Sequence, residues 1–123
     1  MHSRISFALP LALVTFGLAS TASAQDMSGE QLFKQRCGTC HATVAGKPAL
    51  MAPNLRGVAG RKAGATDFKY SPALKASGLT WTPETLDQFL AAPSKLVPGT
   101  RMIVSITDAK QRKAVIDWLG TQR

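Results

Sequence analysis

The chain of 123 residues holds few of the side chains that carry chemistry. It has two cysteines, Cys37 and Cys40, and two histidines, His2 and His41. Two cysteines cannot form the multi-bridge framework that holds small loop-rich exported domains together. A structural zinc site takes four protein ligands. Cys37, Cys40 and His41 supply three, so a carboxylate would have to complete it. Acidic residues are also scarce, 7 Asp and Glu against 15 Lys and Arg, a formal charge of +8. Nucleic acid is the obvious partner for such a balance. Here, however, the basic residues are scattered from Lys34 to Arg101 rather than gathered in one run with aromatics. There is no internal repeat, no low-complexity tract, and no run of the roughly 20 apolar residues that a membrane-spanning helix needs.

What is present begins with a leader pattern. Arg4 precedes the mainly apolar stretch Ile5–Leu18, and small residues follow, ending in Ala22, Ser23 and Ala24. This describes a secretory signal peptide cleaved after Ala24. A retained anchor is the competing reading, but the run is short and contains Pro10. Residues 1–24 are therefore set apart, and 25–123 is read as one small domain of 99 residues carrying +7. The leader and the charge together imply a soluble basic protein in a bacterial periplasm. Exported proteins rarely meet nucleic acid, so acidic protein faces, or peripheral contact with an anionic membrane surface, fit the charge better.

Four helical segments are expected, with no strands, giving an all-α domain. They are about Ser28–Arg36 with Ser28 as N-cap, Pro72–Ala76 after Ser71, Pro83–Ala91 after Thr82 and ending at Pro93, and Ala109–Leu119. In the last of these Asp108 caps, Gln111 completes a capping box, and Gly120 stands at the C-cap. Long irregular stretches, Ala42–Tyr70 and Ser94–Thr107, separate them. Loops of that length are uncommon in a compact domain unless they serve a site, and a large central ligand would order them.

The stretch CGTCH, Cys37 to His41, concentrates the reactive side chains. Zinc lacks a fourth ligand. A redox disulfide of the thioredoxin kind wants its CxxC at a helix N-terminus within a βαβ pattern, whereas this one follows a helix. A structural disulfide here would close a very small loop and stabilise little. Attachment of a c-type haem is the reading for which C-x-x-C-H is the signature. Residues three and four apart lie on one side of a helical turn, so both thiols can reach one edge of a flat macrocycle while His41 reaches its iron. No further histidine remains for a second axial ligand, which leaves the methionines Met27, Met51 and Met102. Met27 precedes the first helix and is expected to fray. Met51, ten residues past His41, is expected to fill core space. Met102 follows Pro98 and Gly99 on the second long loop and is the preferred ligand.

On these residues the chain resembles class I cytochrome c of the bacterial type, the small soluble monohaem proteins, over about Gly29 to Leu119. GlyGluGlnLeuPhe at 29–33 is similar to the family's N-terminal helix, with Gly29 and Phe33 at packing positions and Trp118 as the aromatic of the terminal helix that meets it. The resemblance implies one covalent haem c, with thioethers from Cys37 and Cys40 and iron held by His41 and Met102. It implies that the Pro53 carbonyl accepts a bond from the His41 ring and that Thr100 lines the methionine loop. It further implies that Tyr70, Trp81 and Arg61 serve a buried haem propionate. That last role suits their chemistry, since a buried carboxylate needs donors or a positive charge. Three positions depart from the mitochondrial members. Phe89 replaces a tyrosine near the methionine sulfur, Leu74 a polar residue, and Val104 a large aromatic.

The function expected from this reading is periplasmic one-electron transfer, not enzymatic turnover. The redox partners would be a dehydrogenase, an oxidase or a membrane cytochrome complex with an acidic docking face. The protein would act as a monomer, and Lys34, Lys47, Lys95 and Arg101 would steer docking. The alternatives are a haem subunit delivering electrons inside a fixed oxidoreductase complex, and an open-iron peroxidase or ligand sensor.

Overall fold

The computed structural model describes Pro10, Ala12, Gly17, Leu18 and residues 27–48 and 51–123. The proposed leader therefore falls almost wholly outside the described residues. Five helices follow one another: α1 (Gly29–Arg36), α2 (Pro72–Ala76), α3 (Pro83–Ala91), α4 (Pro93–Leu96) and α5 (Ala109–Gly120). Among the described residues the extended pairing is confined to an isolated antiparallel bridge between Lys62 and Thr80. The domain is thus all-α, as expected.

Helix α1 starts at a complete capping box. The Ser28 hydroxyl accepts from the Gln31 N–H at 3.2 Å, and the Gln31 side chain accepts from the Ser28 N–H at 3.0 Å. Glu30 in the first turn and Lys34 and Arg36 in the last complement the helix dipole. Leu32 and Phe33 point inward and are buried. Met27 does not fray. It stands just before the cap and packs against the core, as hydrophobic residues at that position commonly do.

Helices α1 and α3 both pack on α5. Gly29 permits the first contact. A Cβ built on it would lie 2.0 Å from the Ala114 carbonyl oxygen and 2.8 Å from the Trp118 Cβ. Phe33 and Trp118 then meet with ring centroids 4.8 Å apart. The core is completed by Leu86, Phe89 and Leu90 of α3 and by Val115, Ile116 and Leu119 of α5.

Three expectations about the elements need correction. Pro93 ends α3 but also begins α4, so the second irregular stretch starts at Val97 rather than at Ser94. Proline suits a first helical position, where its missing N–H costs nothing. At α5 only half of the capping box forms. The Asp108 carboxylate accepts from the Gln111 N–H at 2.9 Å, and the Gln111 side chain makes no return bond to the cap. Gly120 is the last residue of that helix and the C-cap is Thr121, held in right-handed geometry by N–H bonds to the Leu119 and Trp118 carbonyls.

The first long loop is ordered mainly by backbone bonds to distant segments. Leu55 N–H donates to Ala42 O at 2.8 Å, Gly60 N–H to Trp81 O at 2.8 Å, Ala63 N–H to Leu79 O at 2.8 Å, and Gly57 N–H to Gln122 O at 2.6 Å. Gly60 takes φ +83°, a left-handed conformation that a side chain would oppose. Asn54 anchors the loop's inside, donating to the Val44 and Lys47 carbonyls and accepting from the Arg56 N–H.

Candidate haem crevice

The turn that follows α1 builds one wall of a cavity. Cys37 N–H closes α1 on the Phe33 carbonyl at 2.8 Å, and Cys40 N–H and His41 N–H both return to the Cys37 carbonyl at 3.1 and 2.9 Å. That helical turn sets the two thiols and the imidazole toward the same space. Both cysteines are free thiols, Cys37 half-buried and Cys40 exposed. Burial pushes the Cys37 thiol up from its ordinary value, and the neighbouring Arg36 charge offsets part of that rise.

The cavity measures about 470 Å³ and is walled on the opposite side by Thr100, Met102 and Val104. Such a volume falls within the roughly 300–1,000 Å³ of ligand pockets. All nine residues singled out from the sequence, Cys37, Cys40, His41, Pro53, Arg61, Tyr70, Trp81, Thr100 and Met102, line it. They come from six separate places along the chain. Apolar side chains of the core, among them Leu86, Leu90, Val115 and Leu119, form its floor.

The His41 ring is oriented by its backbone partner. Its Nδ1 lies 2.7 Å from the Pro53 carbonyl oxygen. A carbonyl only accepts, so Nδ1 carries the hydrogen and Nε2 keeps its lone pair. Burial lowers the His41 pKa, and the bond to Pro53 works in the opposite direction. A neutral imidazole with a free Nε2 is the form that ligates metal.

Arg61 tests what the cavity is built to hold. Its two terminal nitrogens donate to the carbonyls of Arg56 and Asn54 at 3.1 and 3.2 Å. Its Nε is buried without a partner. An unpaired buried donor on a cation is costly, and an anionic oxygen brought into the cavity would satisfy it. Tyr70 bonds through its hydroxyl to Thr66 Oγ1. Thr66 can be the donor there, which leaves the phenolic hydrogen available. The fit to a large apolar ring with acidic substituents is therefore good: free thiols, an oriented imidazole, apolar walls and an orphaned cationic donor.

The three methionines separate clearly. Met102 is half-buried, packs against the core and faces the cavity. Met27 packs against the core but is not among the residues lining the cavity. Met51 is not core filler, because it is 75% exposed at the cavity rim. The chain turns back through the Leu55–Ala42 bond just after it, so Met51 stands on the outside of that turn's rim rather than in the core. Phe89 lines the cavity with its ring 4.9 Å from Trp81, and Leu74 of α2 lines it beside Tyr70 and Ser71. Ile103 and Val104 border the cavity at the methionine wall and are at the same time 92% and 38% exposed. Sequence reasoning missed Asn54 and Thr66. The Asn54 side chain's bond to the N–H two residues on is an Asx turn, a signal legible in principle, whereas nothing local marks Thr66.

Comparison with known proteins agrees with this geometry. The family profile described as Cytochrome c matches residues 27–123. The chain is 38% identical over 120 residues to cytochrome c2 of Rhodomicrobium vannielii, covering 96% of this chain and 95% of that protein. It is 43% identical over 94 residues to cytochrome c type-1 of Ascaris suum, covering 75% and 83%. The solved structure of cytochrome cH from Methylobacterium extorquens superposes with a TM-score of 0.70 at 42% identity, covering 76% of this chain and 94% of that one.

Proposed function

The chain belongs to the cytochrome c family, and from that premise we propose how its crevice serves a periplasmic one-electron carrier. The cofactor is one covalently bound haem c, which supplies a one-electron couple at its iron. The observation that carries the proposal is the juxtaposition of the CGTCH turn with Met102 across one apolar cavity, with His41 already oriented by Pro53.

Cys37 and Cys40 hold the ring at the cavity edge through thioethers. His41 Nε2 and the Met102 sulfur would hold the iron. A soft thioether favours the reduced ion and raises the potential. Pro53 fixes the imidazole tautomer, Thr100 supports the methionine turn through a 3.4 Å bond from the Met102 N–H to its hydroxyl, and Arg61 with Tyr70 and Trp81 meets a propionate. With His41 and Met102 both committed to the iron, no position would be kept for a substrate, and the protein would work as a carrier rather than as an enzyme. Residues 1–24 are the export signal, removed after Ala24.

The reading is tested by spectra of the exported protein in both oxidation states. A haem absorbance that stays with the polypeptide under denaturing conditions, together with a weak ferric sulfur–iron band, is the expected result. Ready binding of carbon monoxide by the native ferrous protein at neutral pH would count decisively against the filled sixth position.

Exposed cations surround the cavity mouth, among them Arg36 and Arg101, and acidic faces are their natural partners. The bimolecular transfer rate with an acidic partner should fall roughly tenfold or more as the screening length shrinks from about 30 Å to about 8 Å. Stopped-flow rates that do not change with ionic strength would rule out electrostatic docking.

A further inference from the structure

Met102 lies in the stretch after Val97 that has no regular structure, and its two ends are held very differently. The inner end is fixed by buried bonds. Ile106 is 2% exposed, and its N–H donates to the Leu90 carbonyl at 2.8 Å. Arg112 donates to the carbonyls of Ile106 and Thr107 at 3.0 and 2.9 Å, and its Nε pairs with Asp87 at 2.7 Å. The Arg112 side chain is only 13% exposed, so this anchor is shielded from water.

The outer part, 101–105, has no such support. Ile103 and Val104 face solvent. Two arginines tie this part to the rest of the chain. Arg101 Nη1 donates to the Lys69 carbonyl at 3.1 Å. Arg36 Nη2 donates to the Ser105 carbonyl at 2.9 Å, across 69 positions of sequence. Arg36 is the last residue of α1, immediately before Cys37. Its bond therefore joins the residue before Cys37 to the chain three residues past Met102. Among the described residues Arg36 forms no ion pair, so this carbonyl is its tertiary partner.

We propose that Arg36 is a positioning residue for Met102, a strap across the mouth that holds the outer half of the methionine loop closed. Losing the Arg36 bond frees residues 103–105 next to Met102 while Ile106 stays held, because an exposed hydrogen bond is lost more readily than the shielded Arg112 anchor. The inference rests on Met102 being the axial ligand.

The test uses the exported holoprotein and imidazole as the entering ligand for ferric iron. Arg36→Gln should raise the imidazole association rate about two- to five-fold, the range an exposed charge-assisted bond supports. It should also speed amide hydrogen exchange at residues 103–105 while leaving exchange at Ile106 unchanged. Lys110→Gln removes the same charge from an exposed position that makes no side-chain bond among the described residues, and should leave both readings at the wild-type value. Equal association rates for Arg36→Gln and wild type, with the sulfur–iron band present in both, would overturn the strap and leave the carrier reading intact. The same rise in Lys110→Gln would overturn it too, by showing that net charge alone is responsible. A wild-type protein without the sulfur–iron band would overturn both readings.

Discussion

Met102→Leu abolishes the ferric sulfur–iron band and opens the ferrous protein to carbon monoxide. The substitution nearly conserves side-chain volume, so its packing cost stays below about 1.5 kcal/mol and the fold survives. What disappears is the soft donor. No other described methionine or histidine is placed to replace it: Met51 stands 75% exposed on the rim, Met27 does not line the cavity, and the one described histidine, His41, is on the opposite wall. Loss of a residue that merely supports a ligand typically weakens a metal site by about 10–100-fold, so loss of the ligand itself should speed carbon monoxide binding at least about a hundredfold. Flash photolysis or stopped-flow mixing measures it. An unchanged ferric spectrum in the variant would mean that another group occupies the sixth position.

Gly29→Ala destabilises the domain, although helix propensity alone points the other way. Alanine in a helix interior is favoured over glycine by about 1 kcal/mol, and less at a first-turn position. Against this, the new methyl would meet the Ala114 carbonyl oxygen at 2.0 Å and its carbon at 2.7 Å. These are backbone atoms of α5, which cannot rotate aside as a flexible side chain would. Overpacking in a tight core costs about 1–3 kcal/mol and more where the neighbour is rigid, so steric conflict prevails by about 2 kcal/mol or more. Native stability is only about 5–15 kcal/mol, so the denaturant midpoint should fall clearly. The effect reaches the site, because α1 carries the Cys37–His41 turn at its C-terminal end and α5 lines the cavity floor. A midpoint equal to that of wild type would show that the two helices tolerate a wider separation than this contact implies.

Much of this protein is written in short-range chemistry. Ser28, Ser71, Thr82 and Asp108 each cap a helix because a side-chain oxygen reaches a backbone N–H three residues on, and that relation depends on local sequence alone. CGTCH is local in the same sense, since its three reactive groups share one turn whatever packs around them. Even α4 was legible in principle, because Pro93 could be read as a start as well as a stop. The proposed pairing of His41 with Met102 rests on elimination among few candidates rather than on any contact visible in the chain.

What local chemistry could not show is whatever depends on two distant segments meeting. The packing of Met27 against the core, the exposure of Met51 and the orphaned Nε of Arg61 all depend on how remote segments assemble around the cavity. The approach of α1 to α5 at Gly29 was implied by the family resemblance alone, and the reach of Arg36 to Ser105 has no sequence signature, since each is decided by packing across more than sixty residues. Sequence by itself determined the helices, their caps and the reactive groups, because those follow from spacing along one backbone. Tertiary structure alone decided how those groups face one another and how firmly the methionine wall is held. Burial and hydrogen bonding between remote segments are properties of the assembled core.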